Sequence, residues 1–327
     1  MIRRRLVLVS LLSLLAACSK KSEAPAAPNE PAATPANSTM VRAAGSPARE
    51  PAPDDVKYTG YFTGASGTQR LTVGADARKV YTYLPVSRAA RPSLVIVLHG
   101  TGANENEGAM DGAIGELSAR EAADANGFIL LAPYSSSDGG TNADHESGGP
   151  GWRFDGDAAT NRDLLLLRAT IQEARKAYKV DASHVYLVGH SNGAFFSYFA
   201  AVKLADRIAA FAESSGGIIP CGNRVDCTHT AAGSTNCAGL LRAAPEACRC
   251  PITAAPFPTP RGTGRVPSGF LEHNADDTTV SAVYTCRLAE QLGARAKVTI
   301  DPKGEHGPTN DFMAKAWVFL ASKSVAD

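Results

Sequence analysis

The fold of this chain is constrained most by one feature of its sequence, in which short apolar runs alternate with longer segments of helical periodicity. The apolar runs cover residues 93–99, 128–132, 184–188, 208–213, 269–272 and 297–300. The helical patterns cover about 111–126, 160–178, 192–204, 280–292 and 309–322. A run that is apolar at nearly every position is typical of a strand covered on both faces. The alternation predicts β-α-β units, and therefore an α/β fold with a mostly parallel sheet and helices on both faces.

Two further strands are expected before these runs, at 69–73 and 80–85. The residues Gly74-Ala75-Asp76 between them are typical of a hairpin turn. We therefore expect an antiparallel edge that precedes the parallel strands. The run 93–99 is the expected central strand, because its continuous apolar stretch is what a strand covered on both faces requires.

The N-terminus has the pattern of an export signal. Basic residues at 3–5 precede an apolar run at 6–15 that is too short to span a bilayer as a permanent helix. The run leads into Leu15-Ala16-Ala17-Cys18, which resembles the lipobox of bacterial lipoproteins. That resemblance implies a signal peptide at 1–17 and lipidation of Cys18. An ordinary cleavage site that happens to contain a cysteine is the alternative.

A segment with few large apolar side chains follows at 18–55. It is rich in Pro, Ala, Ser and Asn, so we expect a disordered tether, with the folded domain at 56–327. Ser19 is not the Asp that retains many lipoproteins in the inner membrane, so we expect an extracytoplasmic location, at the outer membrane in a Gram-negative cell. The 33 basic and 32 acidic residues are interspersed, which argues against a nucleic-acid partner.

Cysteine usage predicts disulfides. The chain has seven cysteines, and with Cys18 assigned to lipid an even number remains in an exported body. These are Cys221, Cys227, Cys237, Cys248, Cys250 and Cys286. All but the last lie at 216–267, where periodicity is lost and we expect a Cys-rich insertion. The pairing and the possible movement of the insertion as a lid stay open. Zinc is the alternative, but only Arg249 separates Cys248 from Cys250, which is too close for typical structural zinc.

The pentapeptide Gly189-His190-Ser191-Asn192-Gly193 lies between a predicted strand and a predicted helix. This is the context of a nucleophile elbow, a tight turn that exposes a serine hydroxyl. The turn leaves no room for bulky flanking side chains, which explains the glycines. The helix directs its first N–H groups and its positive dipole end at any oxyanion that forms. Ser191 is therefore the candidate nucleophile, and a structural turn with an idle serine is the alternative.

A second loop is expected beside this serine. His99-Gly100-Thr101-Gly102 directly follows the expected central strand. In an elbow-type site, a backbone N–H of that loop joins the N–H of the residue after the nucleophile to form an oxyanion hole. We expect Thr101 and Asn192 to supply these groups. We interpret His99 as a brace for the loop rather than as the base.

The late part of the chain offers an acid and a base in the order that follows such a serine. The strand at 269–272 runs into Asp276 and Asp277, and the strand at 297–300 leads into a loop that carries His306. His306 is the expected general base, oriented by one of the two carboxylates. The residues themselves do not decide between Asp276 and Asp277. The other histidines, including His273 at a strand end, are weaker candidates for the base.

Together these motifs resemble the polyhydroxybutyrate-depolymerase-like and feruloyl-esterase-like branch of secreted α/β-hydrolase esterases. The resemblance covers roughly 68–322 and implies the α/β-hydrolase fold with a Ser-Asp-His triad. In that branch the acid stands in a His-Gly-x-x-Asp-x-x-Val pattern, which aligns with His273 to Val280 and implies Asp277. Asn274 stands where the branch usually has Gly, and Thr278 where it usually has Pro. The Cys-rich insertion has no counterpart that we can place.

The resemblance implies a serine hydrolase that cleaves carboxylic esters through an acyl-enzyme on Ser191. The expected substrate is an aryl ester of the feruloyl type or a polyester fragment, and the chemistry requires no cofactor. The alternatives are a serine peptidase of the prolyl-oligopeptidase type and a non-catalytic surface lipoprotein that uses a hydrolase scaffold for binding. The oligomeric state is open.

Aromatic residues after the run 128–132 are the candidate substrate contacts. They are Tyr134, Trp152 and Phe154, on the side of the sheet where ligands bind in such folds. The alternative is that they pack the loop onto the body. A further group of oxygen-bearing side chains lacks the spacing of a calcium site, so we expect no metal there and assign its members to helix capping and the surface. They are Asp155, Asp157, Asn161 and Asp163.

Overall fold

A mixed sheet lies at the centre of the computed structural model, which describes residues 56–103, 106–136, 151–218, 230–231, 233–245, 248 and 265–327. Within these ranges nine strands pair in one sheet. They are β1 (Tyr58–Thr59), β2 (Gly67–Val73), β3 (Asp76–Tyr83), β4 (Leu94–Leu98), β5 (Ile129–Pro133), β6 (Val185–His190), β7 (Ala210–Ser214), β8 (Ser268–Asn274) and β9 (Ala296–Asp301).

The sheet is antiparallel at one edge and parallel elsewhere. Its order is β1-β2-β3-β5-β4-β6-β7-β8-β9, and β1, β2, β3 and β5 pair antiparallel. Val73 pairs with Asp76 across the β2–β3 turn, which confirms the expected hairpin. The strands from β5 to β9 in that order pair in parallel. β4 is central and buried at every position, as its apolar sequence predicts.

Helices cover both faces of this sheet. They are α1 (Glu107–Glu116), α2 (Ala119–Asn126), α3 (Arg162–Tyr178), α4 (Asn192–Lys203), α5 (Cys237–Ala243), α6 (Ala282–Leu292) and α7 (Phe312–Leu320). Successive side chains of a strand point to opposite faces. Leu94 and Ile96 therefore join an apolar cluster with α3, α4 and α6, whereas Val95 and Val97 join a cluster with α1, α2 and α7.

The single helix predicted at about 111–126 is two helices in the structure. α1 begins after Asn106, whose side chain accepts a hydrogen bond from the N–H of Ala109 at 2.8 Å. Ser118, between α1 and α2, adopts a left-handed backbone with a φ of 50°. A left-handed residue cannot continue a right-handed helix, so the chain turns there and α2 starts at Ala119.

One of the acidic residues expected at a helix cap or the surface is buried. Asn161 caps α3, as expected, by accepting from the N–H of Leu164. Asp163 is fully buried, however, and its Oδ1 lies 2.6 Å from Nη2 of the buried Arg78. Because the carboxylate and the guanidinium neutralise each other, both charges are tolerated inside the protein.

A disulfide ties the predicted Cys-rich insertion to the body of the protein. Cys237, the first residue of α5, is bonded to Cys286 on α6. Leu240 of α5 packs with Ala282 and Ile300. The described part of the insertion is therefore held both covalently and by apolar packing. This argues against free opening of that part as a lid.

Several predictions fall outside the described residues and stay predictions. They concern the signal peptide at 1–17, the lipidated Cys18, the tether at 18–55, and Cys221, Cys227 and Cys250. Within the described ranges, no helix is both long enough and apolar enough to cross a membrane. The same ranges contain no group of three or more His, Cys, Asp or Glu residues that could hold a metal ion.

Glu213 of β7 is a fully buried carboxyl within the sheet. Burial raises the pKa of Glu213 well above its ordinary value, and neither of its carboxyl oxygens has a hydrogen-bond partner among the described residues. The folded protein therefore keeps this proton at pH values where the unfolded chain has already released it. Under these conditions the folded state binds more protons, so its stability falls as pH rises.

Replacing Glu213 with Gln should remove this loss of stability. Between the ordinary carboxyl pKa of about 4.3 and the raised pKa of the folded state, each pH unit should lower the free energy of unfolding of the wild type by up to about 1.4 kcal/mol. Glu213→Gln should show no such loss, because Gln does not titrate. The free energy of unfolding, measured in urea, should therefore rise in Glu213→Gln relative to the wild type as pH rises from about 5 to about 8. The exposed Glu121→Gln should show no such trend. A Glu213→Gln difference that does not change with pH would contradict the prediction.

Candidate active site

Ser191 lies where β6 ends and α4 begins, in a backbone conformation that few residues adopt. Its φ is 54° and its ψ is −122°, and its N–H donates to the carbonyl of Ser214 at 3.0 Å. Such a conformation costs on the order of 1–3 kcal/mol for a residue other than glycine and is typical of functional sites. Because α4 begins at Asn192, the positive end of its dipole adjoins Ser191. The local geometry matches the predicted elbow.

Two glycines allow this turn to pack so closely. A Cβ at position 193 would overlap the backbone oxygens of Leu98 and His99 at the end of β4. A Cβ at position 189 would overlap the backbone of Gly193 itself. Neither position can carry a side chain, so the first turn of α4 lies directly against the chain that leaves β4.

His306 connects Ser191 to Asp277 through two hydrogen bonds. Its Nε2 lies 2.9 Å from Ser191 Oγ, and its Nδ1 lies 2.8 Å from Asp277 Oδ2. An ionised carboxylate can only accept, so Nδ1 carries the proton and Nε2 accepts from the serine hydroxyl. The structure therefore joins the three predicted residues, and Asp277 rather than Asp276 is the carboxylate that His306 contacts.

Asp277 is held from several sides. Its Oδ1 accepts from the backbone N–H groups of Thr279 and Val280 at 2.8 and 2.9 Å, and its Oδ2 lies 3.3 Å from His273 Nε2. Burial opposes ionisation, but the hydrogen bonds from His273, His306 and Val280 outweigh it and hold the pKa of Asp277 well below its usual range. Asp277 is therefore an anion at neutral pH.

Two residues of β8 belong to the site although sequence reasoning gave them no such role. His273, considered only as a weak candidate for the base, lies with Nδ1 2.7 Å from Thr285 Oγ1 and Nε2 2.8 Å from the carbonyl of Val280. Glu272 accepts through Oε1 from the N–H and the hydroxyl of Thr309, at 3.0 and 2.8 Å. The presence of polar residues in a buried strand could have identified them, because a buried polar group without a hydrogen-bond partner costs stability.

A second histidine ring lies against His306. The ring centroids of His190 and His306 are 4.9 Å apart. Burial, and to a smaller extent the neighbouring His306, lower the pKa of His190 to about 4. His190 is therefore neutral at neutral pH and places no second positive charge beside His306.

His99 braces its loop, which confirms the interpretation made from its position. Its Nε2 accepts from the N–H of Ser135 at 3.1 Å, and its Nδ1 lies 2.6 Å from the carbonyl of Gly100. Because Nε2 accepts, the proton of the neutral ring is on Nδ1. Burial lowers the pKa of His99 to about 4, which agrees with a neutral ring.

Both predicted oxyanion donors lie on segments that adjoin Ser191. Asn192 is the first residue of α4, where backbone N–H groups have no partner within the helix. Its side-chain Oδ1 accepts from the N–H of Trp152 at 2.9 Å. Thr101 follows Gly100, at which a Cβ would lie 3.3 Å from Ser191 Cβ. The loop that carries Thr101 therefore comes close to the serine.

The aromatic residues expected to contact substrate are buried, which corrects that expectation. Trp152 is fully buried, stacks on Phe196 with centroids 4.9 Å apart, and donates from Nε1 to the carbonyl of His99 at 2.9 Å. Tyr134 and Phe154 are 4% and 7% exposed and belong to the two apolar clusters. Their large rings gain more from completing the core beneath the loop than from exposure.

Sequence comparisons find esterases among the relatives of this chain. No family model matches it. It is 31% identical over 139 residues to the bifunctional acetylxylan esterase/xylanase XynS20E of Neocallimastix patriciarum, covering 42% of this chain and 18% of that protein. It is 25% identical over 226 residues to feruloyl esterase B of Talaromyces stipitatus, covering 66% of this chain and 58% of that protein. The chain thus spans less than two thirds of the length of either relative.

Solved structures establish the fold. The acetyl xylan esterase from Aspergillus awamori matches with a TM-score of 0.53 and 17% identity, over 81% of this chain and 99% of that one. A thermostable esterase matches with a TM-score of 0.50 and 16% identity, over 83% and 64% of the two chains. The chain has the α/β-hydrolase fold. Both sequence relatives carry an esterase activity in their names.

Proposed function

We propose that the chain hydrolyses carboxylic esters through an acyl-enzyme on Ser191. The proposal rests on the hydrogen-bonded chain from Ser191 through His306 to Asp277, located at a strained strand-to-helix turn. A serine hydroxyl that meets an accepting imidazole, itself oriented by a buried carboxylate, is the arrangement of an activated nucleophile. Both curated relatives are esterases, which supports an ester as the bond that is cleaved.

In the proposed reaction, Ser191 Oγ attacks the ester carbonyl carbon while His306 Nε2 takes the serine proton. The N–H groups of Asn192 and Thr101, with the N-terminus of α4, stabilise the negative charge on the carbonyl oxygen. His306 then gives its proton to the leaving alkoxide as the C–O bond breaks, and the acyl group stays on Ser191. Water attacks the acyl-enzyme while His306 takes a proton from it. His306 then returns that proton to Ser191 Oγ as the acyl C–O bond breaks, which releases the acid and restores the serine.

Asp277 has the role of orienting and charge-stabilising partner in this scheme. It keeps the proton of the neutral imidazole on Nδ1, so that Nε2 faces Ser191 as an acceptor. It also stabilises the imidazolium that forms during attack. Because its pKa is held low, Asp277 stays ionised at mildly acidic pH and does not limit the reaction there.

For the substrate we propose an aryl ester of the feruloyl type or a polyester fragment, either free or within a polymer. The names of the two relatives, a feruloyl esterase and an acetylxylan esterase/xylanase, support an ester in this general class. The mechanism needs no cofactor, since the nucleophile and the base are both side chains. We further propose that lipid on Cys18 anchors the enzyme outside the cytoplasm, at the outer membrane in a Gram-negative cell.

Lipidation of Cys18 can be tested in cells of a bacterial host. The wild-type chain should incorporate radiolabelled palmitate and fractionate with membranes, because acyl chains bury many methylene groups in the bilayer. Cys18→Ala should lose both properties, whereas Ser19→Ala should keep the label. Palmitate retained on Cys18→Ala would contradict the proposed anchor.

A fluorophosphonate probe tests the nucleophile. The folded wild type should be labelled, Ser191→Ala should not, and Ser197→Ala on the same helix should still be labelled because its hydroxyl bonds only the helix backbone at Ala194. A series of p-nitrophenyl esters, methyl ferulate and a peptide amide then defines the bond that is cleaved. Absence of labelling in the folded wild type, as in Ser191→Ala, would favour a non-catalytic binding lipoprotein. Turnover of the amide alone would favour a peptidase.

Replacing Asp277 with Asn should lower kcat on the order of ten-thousandfold, because the amide can favour the wrong tautomer of His306. Asp276→Asn is the matched control, one residue away with the same change in charge, and should lose far less turnover. Steady-state kinetics on the best p-nitrophenyl ester measures both. Equal losses in the two variants would be inconsistent with the role given to Asp277.

A further inference from the structure

Asn274 ends β8 and lies beneath the loop that carries His306. Its side chain is 5% exposed, and in the sheet its backbone pairs with Asp301, from which the chain continues to His306. The proposed mechanism gives the Asn274 side chain no role.

The amide of Asn274 contacts the backbone on both sides of His306. Its Nδ2 donates to the carbonyl of Glu305 at 2.8 Å and to the carbonyl of Gly307 at 3.0 Å. Carbonyl oxygens can only accept, so the nitrogen and not the oxygen of the amide must face them, and both of its hydrogens are used. One side chain thus fixes the peptide groups that precede and follow the base.

Two further observations fit this role. Gly304 has a φ of 138°, and a Cβ there would lie 2.6 Å from Asn274 Cγ, so the loop is folded closely onto the amide. Asn274 Oδ1 is buried and has no hydrogen-bond partner among the described residues. A buried unpaired amide oxygen costs stability. The side chain is therefore poorly explained by stability alone and better explained by its two donated hydrogen bonds.

We propose that Asn274 is a positioning residue for the general base. By fixing the backbone at Glu305 and Gly307, it holds the His306 ring where Nε2 meets Ser191 and Nδ1 meets Asp277. This inference rests on the proposed function for its effect on turnover. A displacement of about 1 Å can cost about a hundredfold in rate, so a modest shift of the loop should be measurable.

Two substitutions separate the effect of the hydrogen bonds that Asn274 donates from the effect of its size. Asn274→Asp keeps the size but turns a carboxylate toward two carbonyl oxygens, and Asn274→Gly removes the contacts without adding charge. Asn310→Asp, exposed on the same loop, is the control for the added charge. We expect kcat of Asn274→Asp to fall about a hundredfold at pH 8 with little change in KM. Its ratio to the wild-type kcat should rise as pH falls, because a protonated Asp can donate one hydrogen bond. The ratio for Asn274→Gly should be lowered and independent of pH.

A second measurement does not depend on turnover. The Nδ1 proton that His306 shares with Asp277 should give a far-downfield proton NMR signal, assigned by its absence in Asp277→Asn. This signal should be shifted or lost in both Asn274 variants and unchanged in Asn310→Asp. Wild-type kcat and an unchanged signal in both Asn274 variants would overturn the proposal. So would a loss of turnover that is fully accounted for by fewer fluorophosphonate-reactive molecules and a lower Tm.

Failure of the proposed function would look different. The wild type would then lack Ser191-dependent ester turnover, while the downfield signal would still report whether Asn274 positions His306. A signal that is shifted or lost in both Asn274 variants would support the positioning role even in that case. A signal that is unchanged in both would overturn it.

Discussion

The close approach of the first turn of α4 to the end of β4 is the constraint on which the site depends. Gly193 lies against the backbone oxygens of Leu98 and His99, with no space for a Cβ. This contact brings the chain that leaves the central strand next to Ser191 and forces the tight turn that strains it. The strain is tolerated because parallel strands on both sides of β6 hold it in place, and the Ser191 N–H is bonded to Ser214. Ser191, the proposed nucleophile, is thus positioned by backbone packing before any side chain contributes.

The charges of the site follow from burial and hydrogen bonding. Asp277 is ionised because its hydrogen bonds outweigh its burial, whereas His190 and His99 are neutral because for them burial prevails. Asp277 therefore faces His306 as a buried anion, and His190, whose ring lies against His306, adds no competing positive charge. This pattern suits the proposed role of His306, because a general base becomes positively charged in the transition state. Asp277, His190 and His99 are all buried, so their different charge states follow from the hydrogen-bond partners that each one has.

Sequence reasoning succeeded where one local pattern determines the outcome. The apolar run that became β4 and the glycines around Ser191 each allow few structures, and both appear as expected. It failed where tertiary contacts decide. The break at Ser118 depends on one left-handed residue, and Trp152 is buried because Phe196 and the backbone of His99 are there to receive it. Asp276 and Asp277 are chemically identical, so only the packing of their turn decides which one meets His306.

The side chains at the end of β8 contact two different segments of the site, one from each face of the strand. Successive side chains point to opposite faces, so Glu272 and Asn274 share one face and His273 has the other. Glu272 and Asn274 both contact the loop that carries His306, whereas His273 contacts the turn that carries Asp277. One strand end therefore contacts both the loop that carries His306 and the turn that carries Asp277. Because β8 is held in the sheet by β7 and β9, the distance between these two segments is coupled to the rigidity of the sheet rather than to either segment alone.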